Sequence, residues 1–363
     1  MNTNLMKICC CINSLASGGK ERVMSELING FITNHNAEVH VVLYGLNPEV
    51  FYEINSKAIF HQPSFKPVKS RLPLTIKTLL YLRKEVKTID PDTVLSFGEL
   101  WNSFVLLALM GTHYPIYVSD RCRPNKSFGR FHDTLRRWLY PRAMGVIAQT
   151  EKAKEFYHKQ FKQTNIPVIG NPINQIDAVL GDRRENVVVS VGRLIDTKNF
   201  DQLIDIFARI NNPNWKLIIV GGDALKQTNS VTLQEQIDQL GMNDRIELAG
   251  TRKNVIDYLQ MAKIFAFTSS SEGFPNVVGE ALSAGLPVVA YDCIAGPSDM
   301  IENGCNGFLV PLFDKEQFRK KLAVLMDDDV LREQMSKYAQ ESIKRYALDK
   351  VIADYYKVIT FRT

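Results

Sequence analysis

Residues 264–284 read IFAFTSSSEGFPNVVGEALSA. Ile264–Thr268 is an apolar run of strand length, followed by Ser269–Asn276, which holds three serines, Gly273 and Pro275 and has the composition of a loop. Val277–Ala284 then resumes as a helix. The stretch is one strand–loop–helix unit.

The same unit recurs on both sides of it. Upstream, Val187–Val191 reads as a strand, Asp201–Ile210 as a helix, Trp215–Val220 as a strand, Leu233–Leu240 as a helix, Arg245–Leu248 as a strand and Val255–Met261 as a helix. Downstream come strands at Pro287–Ala290 and Phe308–Val310, then helical segments at Lys315–Met326, Val330–Arg345 and Asp349–Val358. The first half has the same rhythm. Its strands are Ile8–Ile12, Val39–Tyr44, Thr93–Phe97, Ile116–Ser119, Gly145–Ala148 and Pro167–Ile169. Its helices are Lys20–Phe31, Leu72–Thr88, Trp101–Met110, Phe131–Tyr140 and Thr150–Phe161. Gly170–Glu185, with Gly170, Pro172 and Gly181, breaks the pattern and reads as a linker. Buried strands alternating with helices predict two open α/β domains in series, each a doubly wound parallel sheet. Ligands of such sheets bind at the carboxyl ends of the strands, which predicts a site in a cleft between facing domains.

Length and composition agree. A chain of 363 residues suits about two domains, and 45% hydrophobic with 23% charged residues excludes a largely disordered one. Six Cys make no disulfide framework, and Cys9, Cys10 and Cys11 sit side by side in an apolar run, where they read as small hydrophobes of a reducing compartment. No apolar run reaches the ~20 residues a bilayer crossing needs. The segment before Gly19 is too short and polar, with Asn13, to read as a signal peptide. The net charge of +5 is uneven: residues 1–170 carry +9 and the remainder −4. A basic first half faces something anionic.

Four loops carry residues suited to chemistry. Ser17-Gly18-Gly19-Lys20 follows the first strand and opens the first helix, where bare backbone and a helix N-terminus favour an anion; its spacing is neither GxGxxG nor Walker A. Gly192-Arg193-Leu194, with Lys198, follows the strand Val187–Val191; Arg supplies paired donors and Lys a point charge for a diphosphate. Glu272-Gly273-Phe274-Pro275-Asn276 with Glu280 follows Ile264–Thr268. Glu99, in the loop after Thr93–Phe97, reads either as a ligand contact or as a helix-start acid favoured by the dipole. Asp327-Asp328-Asp329 mimics a metal motif but lies between helices, and no His/Cys cluster has metal spacing, so no metal site is assigned.

Taken together, Glu272-x7-Glu280, Gly192-Arg193-x4-Lys198, the Gly18-Gly19 loop, Asn171-Pro172 and Gly221-Gly222-Asp223 resemble the retaining glycosyltransferases of family 4, most closely over residues 187–312. The resemblance implies the GT-B fold: two Rossmann-like doubly wound domains facing a cleft. It divides the chain into an acceptor-side domain at 1–170, a nucleotide-sugar domain at 171–345, and a C-terminal helix at 346–363 crossing back to the first domain. It implies transfer of a sugar from a nucleoside diphosphate with retention of configuration, without metal or cofactor. Arg193, Lys198 and Glu272 would be the catalytic residues. Arg193, Lys198, Gly18 and Gly19 would hold the diphosphate, Thr251, Arg252, Lys253 and Asn254 the base, and Glu280 the ribose. Glu272 and the segment Gly273, Phe274, Pro275 and Asn276 would hold the donor sugar. Gly296-Pro297 is similar to UDP-hexose users, which favours UDP-hexose or UDP-N-acetylhexosamine over a GDP-sugar.

One position departs from the family. Many relatives carry a His near the reacting sugar where this chain has Ser119-Asp120-Arg121. Arg121 stays charged and is no general base; it is expected to hydrogen-bond sugar or leaving phosphate, with Arg123 and Glu99 on the acceptor side. Two basic segments interleaved with apolar residues, Lys66–Lys87 and Arg121–Arg142, suit an anionic membrane surface, and neither contains a nucleic-acid-binding motif. By resemblance the partners are a nucleotide sugar, a lipid-linked or glycan acceptor of surface polysaccharide assembly, and the inner face of the cytoplasmic membrane, held peripherally. A sugar-nucleotide epimerase or a non-catalytic glycan binder of the same fold is the alternative.

Overall fold

The computed structural model describes residues 5–45, 49–65, 71–177 and 184–361. Lys66, Lys69 and Gly181 of the segments above lie outside them. The chain forms two compact units, Met1–Pro172 with Leu348–Thr363, and Ile173–Ala347.

In the first unit, β1 (Lys7–Ile12), α1 (Gly19–His35), β2 (Glu38–Leu43) and β3 (Ile59–His61) are followed by α2 (Arg71–Ile89), β4 (Thr93–Phe97) and α3 (Glu99–Ala108). Then come β5 (Ile116–Ser119), α4 (Arg130–Leu139), β6 (Gly145–Ile147) and α5 (Glu151–Phe161). The sheet is parallel, in the order β3-β2-β1-β4-β5-β6. Because β1 is central, both its faces are buried. Cys9 and Cys11 point into one core with Val94, Val105 and Leu139, while Ile8, Cys10 and Ile12 point into the other with Leu27 and Phe31. That two-sided burial explains an unbroken apolar run instead of an alternating one. Two elements differ from the sequence reading. β3 is a three-residue edge strand that apolar patterning does not reveal, and Pro167–Ile169 makes only a bridge, Ala148 to Val168.

The second unit repeats the plan. It holds β7 (Val187–Val191), α6 (Phe200–Ala208), β8 (Lys216–Val220), α7 (Asn229–Gln239), β9 (Ile246–Gly250), α8 (Val255–Met261) and β10 (Ile264–Phe267). After these come α9 (Asn276–Ser283), β11 (Val288–Tyr291), the single turn α10 (Pro297–Met300), β12 (Gly307–Val310), α11 (Lys315–Asp327) and α12 (Asp329–Ile343). Its parallel sheet runs β12-β11-β10-β7-β8-β9. Alternate residues of β7 again serve two cores, Val187 and Val189 on one face and Val188 on the other.

The last helix, α13 (Leu348–Thr360), packs on α1 of the first unit. Gly30 is the reason it fits: a Cβ there would lie 2.3 Å from Ile352 Cδ1. Beside it, His35 stacks on Tyr356 with ring centroids 3.8 Å apart.

Candidate active site

In both sheets the strand order reverses next to the first strand of the unit, between β1 and β4 and between β7 and β10. Connections leave in opposite directions at such a point, so the loops part and expose a crevice at the carboxyl ends.

In the second unit the two loops bordering this point are the β7–α6 and β10–α9 connections. Lys198 comes from one and Glu272 from the other, and Lys198 Nζ donates to Glu272 Oε1 at 2.5 Å. The pair is partly buried, with side chains 17% and 15% exposed. Backbone contacts fix this meeting. Ser270 N–H donates to Thr197 O at 2.8 Å, and the Ser269 and Ser270 hydroxyls reach the same oxygen at 3.2 Å. Thr268 Oγ1 donates to Lys198 O, and Asn199 Nδ2 to Thr268 O. The serine run thus staples the loops together. The aliphatic stem of Lys198 lies over Gly192, where a Cβ would stand 3.2 Å from its Cε, and its ammonium sits 5.3 Å from the Phe267 ring centroid.

The neighbouring loops close on the same edge. Gly221 has φ +155°, and a Cβ there would lie 1.7 Å from Gly192 O; a Cβ on Gly222 would lie 2.2 Å from Thr251 Oγ1. Leu194 N–H donates to Gly222 O at 2.9 Å. Arg193 is exposed, as is all of Thr251–Asn254, including Arg252 and Lys253. Phe274 is buried and packs edge-on against Tyr346, so its side chain anchors the loop. Gly296 (φ +108°) lets its strand-end loop close on Pro275, whose Cδ would lie 2.0 Å from a Cβ. Glu280 is half-buried in α9. Behind Glu272, the Cys293 thiol is pushed up to about 12, by burial first and then by the Glu272 charge. Sequence reading did not anticipate that backing thiol; nothing in its spacing announces it.

In the first unit, Gly18 is pinned on both backbone groups by Tyr52. Its N–H donates to the Tyr52 hydroxyl at 3.2 Å, and that hydroxyl donates to Gly18 O at 3.1 Å. Gly19 faces open space. Glu99 is buried, and its Oε1 accepts the backbone N–H groups of Arg121, at 2.5 Å, and Cys122. The carboxylate therefore shapes the turn after β5. Arg121 lies with its guanidinium carbon 3.9 Å from the Phe97 centroid and donates through Nη1 to Asn171 Oδ1 at 2.8 Å. Arg123 is exposed. Lys20, which ends the first candidate loop, also stands at this edge: its Nζ donates to Asn13 Oδ1 at 2.7 Å and pairs with Glu21 at 3.4 Å.

Two surface expectations need correction. Arg136, in the second basic segment, is no surface cation: it is 1% exposed and ion-paired with Asp120, itself 1% exposed. Asp120 also accepts from Tyr140 Oη at 2.6 Å and Asn102 Nδ2 at 3.0 Å. Burial pushes its carboxyl up, and the Arg136 guanidinium opposes that shift. Arg121 is likewise held inside by Phe97 and Asn171, so it is not one of the loop cations facing solvent. Asp327-Asp328-Asp329 is a helix boundary: Asp328 caps α12 by accepting from Leu331 N–H, and Asp329 pairs with Arg332.

Known proteins place these features in a family. A family model described as "Glycosyltransferase Family 4" matches residues 17–175, and one described as "Glycosyl transferases group 1" matches residues 173–342. The amylovoran biosynthesis glycosyltransferase AmsD of Erwinia amylovora is 30% identical over 352 residues, spanning 93% of this chain and 94% of its own. A Campylobacter jejuni α-1,4-N-acetyl-D-galactosaminyltransferase acting on a diphospho-undecaprenol-linked glycan is 25% identical over 366 residues, 98% of each chain. The solved structure of Anabaena HepE in complex with UDP has the same fold, with a TM-score of 0.78 at 20% identity over 97% of this chain and 99% of that one. With matched models over both units and a full-length relative at this identity, the chain belongs to the group 1, family 4 glycosyltransferases of GT-B fold.

Proposed function

We propose that this chain is a retaining, metal-independent transferase that moves a hexose or N-acetylhexosamine from a UDP-sugar to a lipid-linked or glycan acceptor. Its setting would be surface polysaccharide assembly at the inner face of the cytoplasmic membrane. The observation that carries the reading is the Lys198–Glu272 pair at the switch point of the second unit. Lys198 and Arg193 would hold the donor diphosphate. As the bond from the anomeric carbon to the phosphate oxygen breaks, negative charge grows on the leaving UDP, and fixed cations stabilise it without a divalent ion. Glu272 orients the Lys198 ammonium and accepts from donor hydroxyls, the backbone of Gly273–Asn276 lies along the sugar, Glu280 accepts from the ribose, and Thr251–Asn254 border the base.

Retention needs the acceptor to attack from the side the phosphate leaves. The leaving phosphate oxygen is itself the base that takes the acceptor hydroxyl proton. The state of two first-unit carboxylates is consistent with this: Glu99 is occupied by two backbone N–H groups and Asp120 by Arg136, Tyr140 and Asn102. The UDP assignment is supported by the Gly296-Pro297 stretch and by the UDP held in HepE. The lipid-linked acceptor is supported by the C. jejuni relative.

Membrane association is supported by exposed side chains. On α2, Leu72, Ile76 and Leu80 recur every fourth residue and are 69%, 49% and 63% exposed, with Lys77 and Lys84 beside them. On α4, Phe131 and Trp138 are 74% and 44% exposed among Arg130, Arg137 and Arg142. An apolar stripe flanked by cations suits an anionic interface.

Calorimetric titration with UDP, GDP, ADP and CMP, with and without EDTA, tests the site. Binding of UDP alone, unchanged by EDTA, is expected. GDP preference would move the donor to mannose-like sugars, and EDTA-sensitive binding would overturn metal independence. Transfer from an α-linked donor giving a β-linked product by proton NMR would overturn retention, and sugar-nucleotide isomerisation without acceptor would favour the epimerase reading.

A further inference from the structure

The geometry points to a pyranose-binding subsite at the switch point of the first unit, built on Trp101 and Lys20, where the acceptor's terminal sugar docks. It rests on the transferase reading above. The residues come from the two loops bordering the β1/β4 reversal, as Lys198 and Glu272 border the β7/β10 reversal of the second unit. Gly98 lies between them with φ +105° and no side chain. A Cβ there would be 3.4 Å from Trp101 Cδ1 and 3.7 Å from Lys20 Nζ, so the indole and the ammonium flank a floor of bare backbone.

The indole is a fixed platform. Trp101 is 37% exposed, although Tyr44 packs edge-on against it at 5.6 Å and Phe104 at 6.2 Å. A large aromatic braced on its inner side and open on its outer side suits a ligand with an apolar face, and a pyranose ring offers one through its axial C–H groups. The polar rim has the mixed character that hydroxyls need: Lys20 donates, Glu21 accepts, and Asn13 does both. Lys20 is already paired with Glu21 at 3.4 Å, so the rim carries little net charge and fits a neutral sugar better than a phosphate.

Saturation-transfer NMR with a panel of methyl α- and β-pyranosides of glucose, galactose, N-acetylglucosamine and N-acetylgalactosamine tests this on the whole chain. At least one glycoside should receive saturation from the wild type and from Trp138→Ala, which removes another exposed tryptophan. Trp101→Ala should weaken that binding by on the order of tenfold, the effect of losing one aromatic stacking contact, and Trp101→Phe should restore most of it. Lys20→Gln should also weaken it while leaving the thermal midpoint close to wild type. UDP calorimetry on each variant separates the outcomes. Undiminished saturation of Trp101→Ala, or no glycoside bound by a protein that binds UDP, overturns the subsite. A protein that binds neither glycosides nor any nucleotide overturns the transferase reading itself.

Discussion

Lys198 and Glu272, 74 positions apart in the chain, meet at 2.5 Å because the β7–α6 and β10–α9 loops are stapled to each other through Thr197 O, Lys198 O and Thr268 O. The pair is held by the scaffold before any donor arrives. Preorganised charge needs no rearrangement when the leaving group develops its own.

Lys198→Ala should therefore lower the transfer rate by about 10²-fold or more, comparable to removing one fixed donor to a developing oxyanion. Steady-state kinetics with the best-binding UDP-sugar checks this. A rate within a few-fold of wild type would remove Lys198 from the role given to it.

Gly221→Ala should disturb the same site without touching a charged group. Its Cβ would meet Gly192 O at 1.7 Å, backbone against backbone, at φ +155°. The β7 and β8 loops must part, at a cost of about 1–3 kcal/mol. Thermal melting should show a lower midpoint, and UDP binding should weaken with it.

The buried pair Asp120–Arg136 predicts a stability effect where the sequence suggested a surface one. Asp120→Ala leaves a guanidinium 1% exposed without its carboxylate and should cost about 3–5 kcal/mol in urea unfolding. Asp120→Leu combined with Arg136→Met should recover much of that loss, because removing both charges also removes both desolvation costs.

For membrane association the relevant changes are on exposed positions. Replacing Leu72, Ile76 and Leu80 with Ser, or Arg130 and Arg137 with Glu, should reduce co-sedimentation with vesicles containing anionic lipid. The charge-reversal effect should fade at high salt and the apolar one should persist. Equal sedimentation of all variants would remove the interface from α2 and α4.

Glu38 predicts a pH dependence at the sheet edge. The His40 ring on its Oε1 at 2.8 Å holds its carboxyl below the ordinary range, and Lys7 at 3.7 Å adds to this. A carboxyl depressed in the native state stabilises fully above its unfolded value, about 4.3, and that contribution is lost as pH falls through the lower native one. Glu38→Gln should be less stable than wild type at about pH 5, with the gap closing toward pH 3. Chemical denaturation at several pH values measures this.

Much of the architecture was legible because central strands of a parallel sheet are buried on both faces. Ile8–Ile12 and Ile264–Phe267 are short, wholly apolar runs for that reason, Val187–Val191 is broken only by the buried Ser190, and the loops after them stand out as the polar, glycine-containing interruptions. The edge strand β3 was not legible: its Ile59 and Phe60 are exposed, so no hydrophobic pattern marks it. Among candidate residues, Gly192, Arg193, Lys198 and Glu272 could be listed from spacing. Phe274 in the same motif turns inward to Tyr346, which spacing does not show.

The sequence by itself determined the two α/β units, the loops that border each switch point, and the residue types available there. Tertiary structure alone decided which charges are free and which are consumed. Arg136 and Arg137 are neighbours in a basic segment, yet one is sealed against Asp120 and the other faces solvent, because successive helix positions point about 100° apart. Glu99 and Glu272 both follow strands, yet one is consumed by two backbone N–H groups and the other meets a lysine 74 residues away. Charge is written in the chain, but pairing depends on distance in space, and only the packed loops set that distance.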